Sequence, residues 1–304
     1  MTMHEDELDV RDDVVRELVA TQFPRWRRLP MRRIASSGTV NAIFRIGDGL
    51  AARFPLRAAD PDRTRDVLRQ EAEAATLLAR HATVPTPSPV ALGEPGPGYP
   101  LPFSVQTWVP GTVATEADPG GSLEVAQDLA AFVEGLRAID TGGRTFDGDN
   151  RGGDLQAHDE WVETCLRNST DLLDVTRLRA LWQRYRDLPR EAPDVMSHGD
   201  LIPGNVLLTG GRLAGVLDGG GFGPADPALD VIAGWHLLDA GPRAAFRAAL
   251  RCEELEWERS KAWAFEQSLG AVWYYQQTNP AMSAMGRRTL QRILEDTGTA
   301  RTRA

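Results

Sequence analysis

The chain has 304 residues, of which 42% are hydrophobic and 25% charged, the balance of a globular protein with one large domain or two lobes rather than of a disordered or fibrous chain. A net charge of −9 argues against nucleic acid as the main partner, because a phosphate backbone is gripped by a basic face. Two distant cysteines, Cys165 and Cys252, exclude a disulfide framework and a cysteine zinc site, and they suit a reducing cytoplasm.

Residues 8–22 read as a short helix, with Leu8, Val14, Val15, Leu18 and Val19 apolar among charges. Three strand-like runs follow, at 31–36, 41–46 and 50–54, the last two joined by Gly47-Asp48-Gly49 as a tight hairpin turn. Residues 63–81 have the pattern of a long amphipathic helix. The prolines from Pro85 to Pro102 forbid helix and leave room for strands at 88–93 and 103–109. Beyond Gly111 helical patterns dominate (122–139, 155–168, 174–187, 242–250, 255–277, 283–296), broken by a strand pair at 206–208 and 213–217. The expectation is an α+β chain of two lobes: a strand-rich first lobe, 1–108, and a mainly helical second lobe, 109–304, with a hinge at about 105–111. The acidic start, Met1 to Asp13, has no signal-peptide core, and no stretch is apolar enough to span a membrane. A soluble cytoplasmic protein is therefore expected, with no membrane partner and no prediction of oligomeric state. Lys261 is the only lysine, so any task usually given to lysine falls to arginine.

The strongest chemical signal is His198-Gly199-Asp200-Leu201-Ile202-Pro203-Gly204-Asn205, followed by an apolar strand and Asp218. A carboxylate and an amide five residues apart on one loop can face a common centre, the first accepting a hydroxyl proton and the second holding a metal ion. Asp218, at the end of the strand, would add a second hard oxygen of the kind Mg²⁺ prefers. Base, metal amide and metal carboxylate are what in-line phosphoryl transfer to an alcohol requires. The alternative is a glycine-rich turn whose acids cap loops. In the helix 63–81, Val67, Glu71, Ala74 and Leu78 form an apolar stripe that contains a carboxylate. Burying it is costly without a partner, and Arg53 on the preceding strand is the available cation.

The order of these residues is similar to the kinase catalytic loop, and it resembles more specifically the aminoglycoside phosphotransferase family of kinase-like small-molecule enzymes. The resemblance runs from Ser36 to about Tyr275 and includes Gly223-Pro224-Ala225-Asp226-Pro227-Ala228-Leu229-Asp230. It implies a bilobal protein-kinase-like fold, ATP or GTP with Mg²⁺ as cofactors, Asp200 as the base, and Asn205 and Asp218 on the metal. It also puts Arg53 where a lysine usually binds nucleotide phosphates, positioned by Glu71. A guanidinium can grip phosphate with two hydrogen bonds, so the exchange is chemically sound. The loop 36–41, with Ser37, could lay backbone N–H groups over the phosphates or be an ordinary loop, and the backbone near Trp108 would meet the base of the nucleotide, with core packing the other reading of that ring.

The implied acceptor is a hydroxyl of a small molecule, with an aminoglycoside-type antibiotic first and a macrolide, another natural product or a small metabolite as rivals. A nucleotide-binding protein without transfer activity is the rival from another class. Residues 112–168 hold twelve acids and four arginines, a field that would attract a polycation or else an ordinary solvated surface. Asp230, Trp235, Asp239, Glu266 and Tyr274 are the candidate acceptor contacts, since carboxylates and aromatic faces suit an amino sugar. His236 reads as a structural histidine, and aromatics at this helical spacing, Trp273 and Tyr275 among them, are more often core. The pocket after residue 230 is the discriminator: acidic for an amino sugar, apolar for a macrolide.

Overall fold

The computed structural model describes residues 8–34 and 40–302. Its contacts divide the chain into two units. The first comprises the chain up to Arg80, Pro85–Pro110 and Gly215–Gly221; the second comprises His81–Val84, Gly111–Ala214 and the chain from Phe222 onward.

In the first unit, helix α1 (Asp12–Gln22) precedes strands β1 (Met31–Ile34), β2 (Asn41–Ile46) and β3 (Leu50–Pro55). Helix α2 (Pro61–His81) then leads to β4 (Pro89–Gly93) and β5 (Phe103–Thr107). All five strands form one antiparallel sheet in the order β1-β2-β3-β5-β4. Alternation sorts its faces. Ala42, Phe44, Ile46, Ala52, Phe54, Phe103 and Val105 share one core with Val15, Leu18 and Val19 of α1. Phe54 stacks on Phe103 at 4.3 Å between ring centres. Arg53, which faces Ile43 and Ser104 in register, lies on the opposite face of the sheet with Ser104 and Gln106. The hairpin turn needs Gly47, whose φ is +55°.

Helix α2 buries Leu68 and Leu78, and Val67 is 44% exposed, so the apolar stripe is displaced by one residue from the sequence expectation. Either residue fits the helical period, and packing selected the larger leucine. Glu71 remains half-buried on that stripe. The returning segment Gly215–Gly221 is tied in by Val216 N–H to Pro85 O at 3.1 Å. At Gly219 an added Cβ would stand 2.4 Å from Leu78 Cδ2, a close approach that only glycine allows. Of the strand expected at 31–36 the described part is Met31–Ile34, and residues 35–39, including Ser37, lie outside the described residues.

The second unit begins with the short β6 (Thr112–Val113) and α3 (Ala114–Ala117), neither of which is long enough to show a period. Helix α4 (Leu123–Arg137) is capped by Ser122 Oγ, which accepts from Val125 N–H at 3.1 Å, and it buries Val125, Leu129, Phe132, Val133 and Leu136. The pattern at 155–168 resolves into a 3₁₀ turn, Leu155–His158, and α5 (Asp159–Asn168), followed by α6 (Val175–Tyr185). Strands β7 (Val195–Ser197), β8 (Val206–Thr209), β9 (Arg212–Val216) and β10 (Gly223–Ala225) surround the loop of interest. β7 pairs with β10, and β8 lies between β6 and β9. Helices α7 (Ile232–Leu237), α8 (Ala240–Ala249), α9 (Glu254–Tyr274) and α10 (Pro280–Thr302) complete the unit. α9 is buried on almost every side, with Trp263, Phe265, Leu269 and Val272 fully enclosed. The lone Lys261 is buried there too, paired with Glu258 and, at 2.7 Å, with Asp296.

Candidate active site

Strand β7 delivers its chain directly into the loop His198–Asn205. Gly199 has φ +80°, a conformation that lets two successive N–H groups point at one acceptor. That acceptor is Asp230, which takes His198 N–H and Gly199 N–H at 2.8 Å each and is 1% exposed. Asp226 is anchored as deeply. It receives Arg259 Nε at 2.8 Å and Trp263 Nε1 at 3.0 Å, with Ala228 N–H at 2.9 Å on its other oxygen. The Asp226–Asp230 segment is thus the buried clamp that holds the loop, and Asp230 is not available to an acceptor.

Clamped this way, Asp200 presents a carboxylate with 35% of its side chain exposed. Asn205 Nδ2 donates to Asp200 O and to Asp200 Oδ2, both at 2.9 Å. With both hydrogens of the amide so used, Asn205 Oδ1 is the atom left to face a cation. Gln267 Nε2 donates to Asp200 Oδ1 at 2.6 Å, and Arg151 Nη2 reaches the same oxygen at 3.3 Å. The expected base and amide are therefore one hydrogen-bonded unit on one loop.

In the first unit Arg53 Nη2 donates to Asp218 Oδ1 at 2.7 Å, with 15% of its side chain exposed. The expected partner, Glu71, makes no ion pair within 4.0 Å among the described residues, so the sequence expectation of an Arg53–Glu71 bridge is corrected to Arg53–Asp218. Burial pushes the Glu71 carboxyl above its ordinary value; the Arg53 charge opposes that rise and Asp218 adds to it. Glu71 and Arg53 nevertheless line one cavity of about 280 Å³ with Leu68, Ala75, Leu92 and Val105. Asp218 holds φ +63° in the left-handed region, which Asp tolerates better than most side chains. Trp108 donates its backbone N–H to Gly49 O at 2.8 Å, so that backbone N–H is not free for a nucleotide, and its ring lies under the Arg45 guanidinium at 4.8 Å.

No group of three or more His, Cys, Asp or Glu that could hold a metal occurs among the described residues. Asn205 carries an amide oxygen and Asp218 a carboxylate, each a hard oxygen of the kind Mg²⁺ takes alongside phosphate oxygens and water.

The sequence profile of the phosphotransferase enzyme family, APH, matches residues 32–263. The chain belongs to this family. It is 32% identical over 196 residues to an aminoglycoside 3'-phosphotransferase of Streptomyces fradiae, covering 60% of this chain and 68% of that one. Among solved structures it is similar to the GDP and kanamycin complex of APH(2")-IIia, with a TM-score of 0.68, 19% identity, and 94% and 99% of the two chains covered. It is also similar to the macrolide 2'-phosphotransferase MphH from Brachybacterium faecium, with a TM-score of 0.60, 19% identity, and 91% and 98% covered. The fold of this family member is thus the kinase-like α+β fold of those phosphotransferases, with its antiparallel sheet early and its helices late in the chain.

The expected acceptor residues fare differently. Trp235 is fully buried, donates to Ser260 Oγ at 2.9 Å and packs on Trp257 at 4.6 Å, so it is core. Glu266 is 3% exposed and sits 3.1 Å from His158 Nδ1 and 3.7 Å from Arg151 Nη1. Asp239 is exposed but paired with Arg292 at 2.7 Å. Tyr274 is 37% exposed, its ring edge-on to Trp273 and Tyr275. Sequence reasoning missed Arg151 and Gln267. Arg151 lies in a loop without period and left no signal; Gln267 was legible as a polar residue inside the apolar run of α9.

Proposed function

We propose that this family member transfers the γ-phosphoryl group of ATP or GTP to a hydroxyl of a small natural product of the antibiotic type. The observation that carries the reading is the Asp200 carboxylate, clamped by its loop, partly exposed and held on both oxygens by Asn205, Gln267 and Arg151. A carboxylate so fixed can orient an acceptor hydroxyl and take its proton as the oxygen attacks phosphorus. Asn205 Oδ1 and the Asp218 carboxylate are the proposed magnesium ligands, and when bound the ion neutralises phosphate charge. Arg53 is the proposed phosphate cation. Its present pairing with Asp218 supports this, because both groups then exchange an internal partner for the nucleotide–metal complex. Among the described residues no helix is long and apolar enough to cross a membrane, consistent with a dissolved substrate.

An aminoglycoside-type acceptor is supported by the similarity to the Streptomyces fradiae enzyme and by the acid-rich segment 112–168. A specific observation favours a second reading, a neutral or weakly charged glycoside such as a macrolide. The carboxylates after residue 230 that would meet ammonium groups are buried or paired. Within 112–168, Asp128, Asp159 and Glu163 are bound by Arg212, Arg186 and Arg179.

The test is Mg²⁺-dependent nucleotide consumption with ATP and GTP against kanamycin, neomycin and erythromycin, with Asp200→Ala as control. Turnover confined to one acceptor class and lost in the variant identifies reaction and class together. Tight nucleotide binding with no turnover on any acceptor would instead favour a binding protein, and absence of nucleotide binding would overturn the reading.

A further inference from the structure

Asp200 ends a hydrogen-bonded row that starts on α10. Thr289 Oγ1 lies 3.0 Å from His236 Nδ1, His236 Nε2 lies 3.1 Å from Gln267 Oε1, and Gln267 Nε2 donates to Asp200 Oδ1 at 2.6 Å. Helices α10, α7 and α9 each supply one member. Thr289 and His236 are buried, at 0% and 3% exposure, so water does not compete for their bonds.

The row can run in only one direction. An ionised carboxylate accepts and cannot donate, so Gln267 turns its NH₂ toward Asp200 and its carbonyl toward His236. A carbonyl oxygen also only accepts, which assigns the imidazole proton to Nε2. Nδ1 is then a lone pair and takes the hydroxyl proton of Thr289 in a hydrogen bond. The ring stays neutral because burial pushes it down to about 3; the Gln267 bond opposes this, and Arg151 and Arg292 reinforce it.

We propose that Gln267 and His236 are positioning residues for the base, locking the Asp200 carboxylate so that Oδ1 faces the protein and Oδ2 faces the acceptor hydroxyl. Oδ1 takes two donors, Gln267 at 2.6 Å and Arg151 at 3.3 Å, which occupy both its lone pairs. Oδ2 takes one, from Asn205 at 2.9 Å, and keeps the other for the proton of the acceptor. The terminal torsion of an aspartate is broad and nearly two-fold, so without such donors its two oxygens would exchange places. His236 acts at one remove, since its Nε2–H, donated to the Gln267 carbonyl, holds that amide with its NH₂ toward the carboxylate. This inference rests on Asp200 being the base.

Two measurements test it. In the first, Gln267→Leu is expected to lower kcat roughly 10- to 100-fold, with KM for nucleotide and acceptor within about twofold, because a misdirected base weakens chemistry and not binding. His236→Leu should lower kcat in the same way. His236→Gln, whose terminal NH₂ falls near the position of Nε2 and can donate to Gln267, should recover most of it at a similar Tm. Unchanged kcat in Gln267→Leu, or equal loss in His236→Leu and His236→Gln, would overturn the proposal. The second measurement needs no acceptor: ¹⁵N-histidine NMR of the whole chain, which has five histidines. The expected result is a neutral His236 ring protonated at Nε2 at pH 7. A proton on Nδ1, or a cationic ring, would overturn the row. A wild-type enzyme that turned over no acceptor would refute the phosphotransferase reading, while the NMR result would still decide the polarity of the row.

Discussion

Arg53 and Asp218 neutralise each other across 2.7 Å, and each is also a group that the proposed reaction needs. A guanidinium fork can move from a carboxylate to two phosphate oxygens without losing its paired geometry, which suits Arg53 to the proposed phosphate-binding role. Arg53→Ala should raise KM for ATP or GTP about tenfold, equivalent to ~1.4 kcal/mol of binding, with a smaller effect for Arg53→Lys. Steady-state kinetics with the acceptor held saturating would measure it. Losing this cation also leaves Glu71 with burial unopposed, so its carboxyl should rise further. At this scale the sequence singled out Arg53, Glu71 and Asp218 but misassigned the partner of Arg53. Spacing put Glu71 on a buried stripe and Arg53 on a neighbouring strand, but Asp218 returns from far along the chain, and no local pattern records that return.

The elements that matter most are those whose neighbours are distant in sequence. α2 and the 215–221 segment meet where Leu78 leaves no room for a Cβ on Gly219. Gly219→Ala should therefore cost roughly 1–3 kcal/mol through overpacking. Adding Leu78→Ala should recover part of that loss, so the double variant is more stable than the sum of the two single changes predicts. Thermal unfolding of the four proteins closes this cycle. α9 shows the opposite relation between pattern and place. Its sequence carries charges through the first half, from Glu254 to Lys261, yet the fold buries nearly all its sides. Glu266 and Gln267 within it are polar interruptions, one bound to His158 and Arg151 and the other to Asp200 and His236. Glu266 was legible as an anomaly and was assigned to an acceptor; burial makes it instead the support of Arg151.

For the molecule as a whole, stability should fall on the acid side. His236 is neutral in the folded chain down to about 3, whereas an unfolded histidine takes its proton near 6.5. The unfolded chain then binds more protons below that value, so this stability is present above pH 6.5 and drains as the pH falls toward the folded value. The loss at pH 5 relative to pH 7 is about 2 kcal/mol. Asp128 and Asp159 add a second, lower limb. Hydrogen bonds from Arg212 and Arg186 hold their carboxyls below the ordinary 3.8, so their contribution disappears as the pH falls through those depressed values. Melting curves from pH 4 to 8 should show Tm declining below 6.5, and His236→Asn should flatten the upper part of that decline.

What the sequence determined by itself was local or periodic. Alternation fixed β2 and β3, the 3.6-residue period fixed α2, α4 and α9, and a spacing of five on one loop fixed the Asp200–Asn205 pair. Short elements such as β6, β7, β10 and α7 span too few residues for any period to accumulate, and they became visible only in three dimensions. Tertiary structure alone decided which carboxylates are spoken for. Asp230 is taken by two backbone N–H groups, Glu266 by His158 and Arg151, and Asp218 by Arg53. A sequence states which groups can carry charge. Burial and the arrival of distant donors decide which of those charges remain for a substrate, and those arrivals depend on contacts between residues tens to hundreds of positions apart.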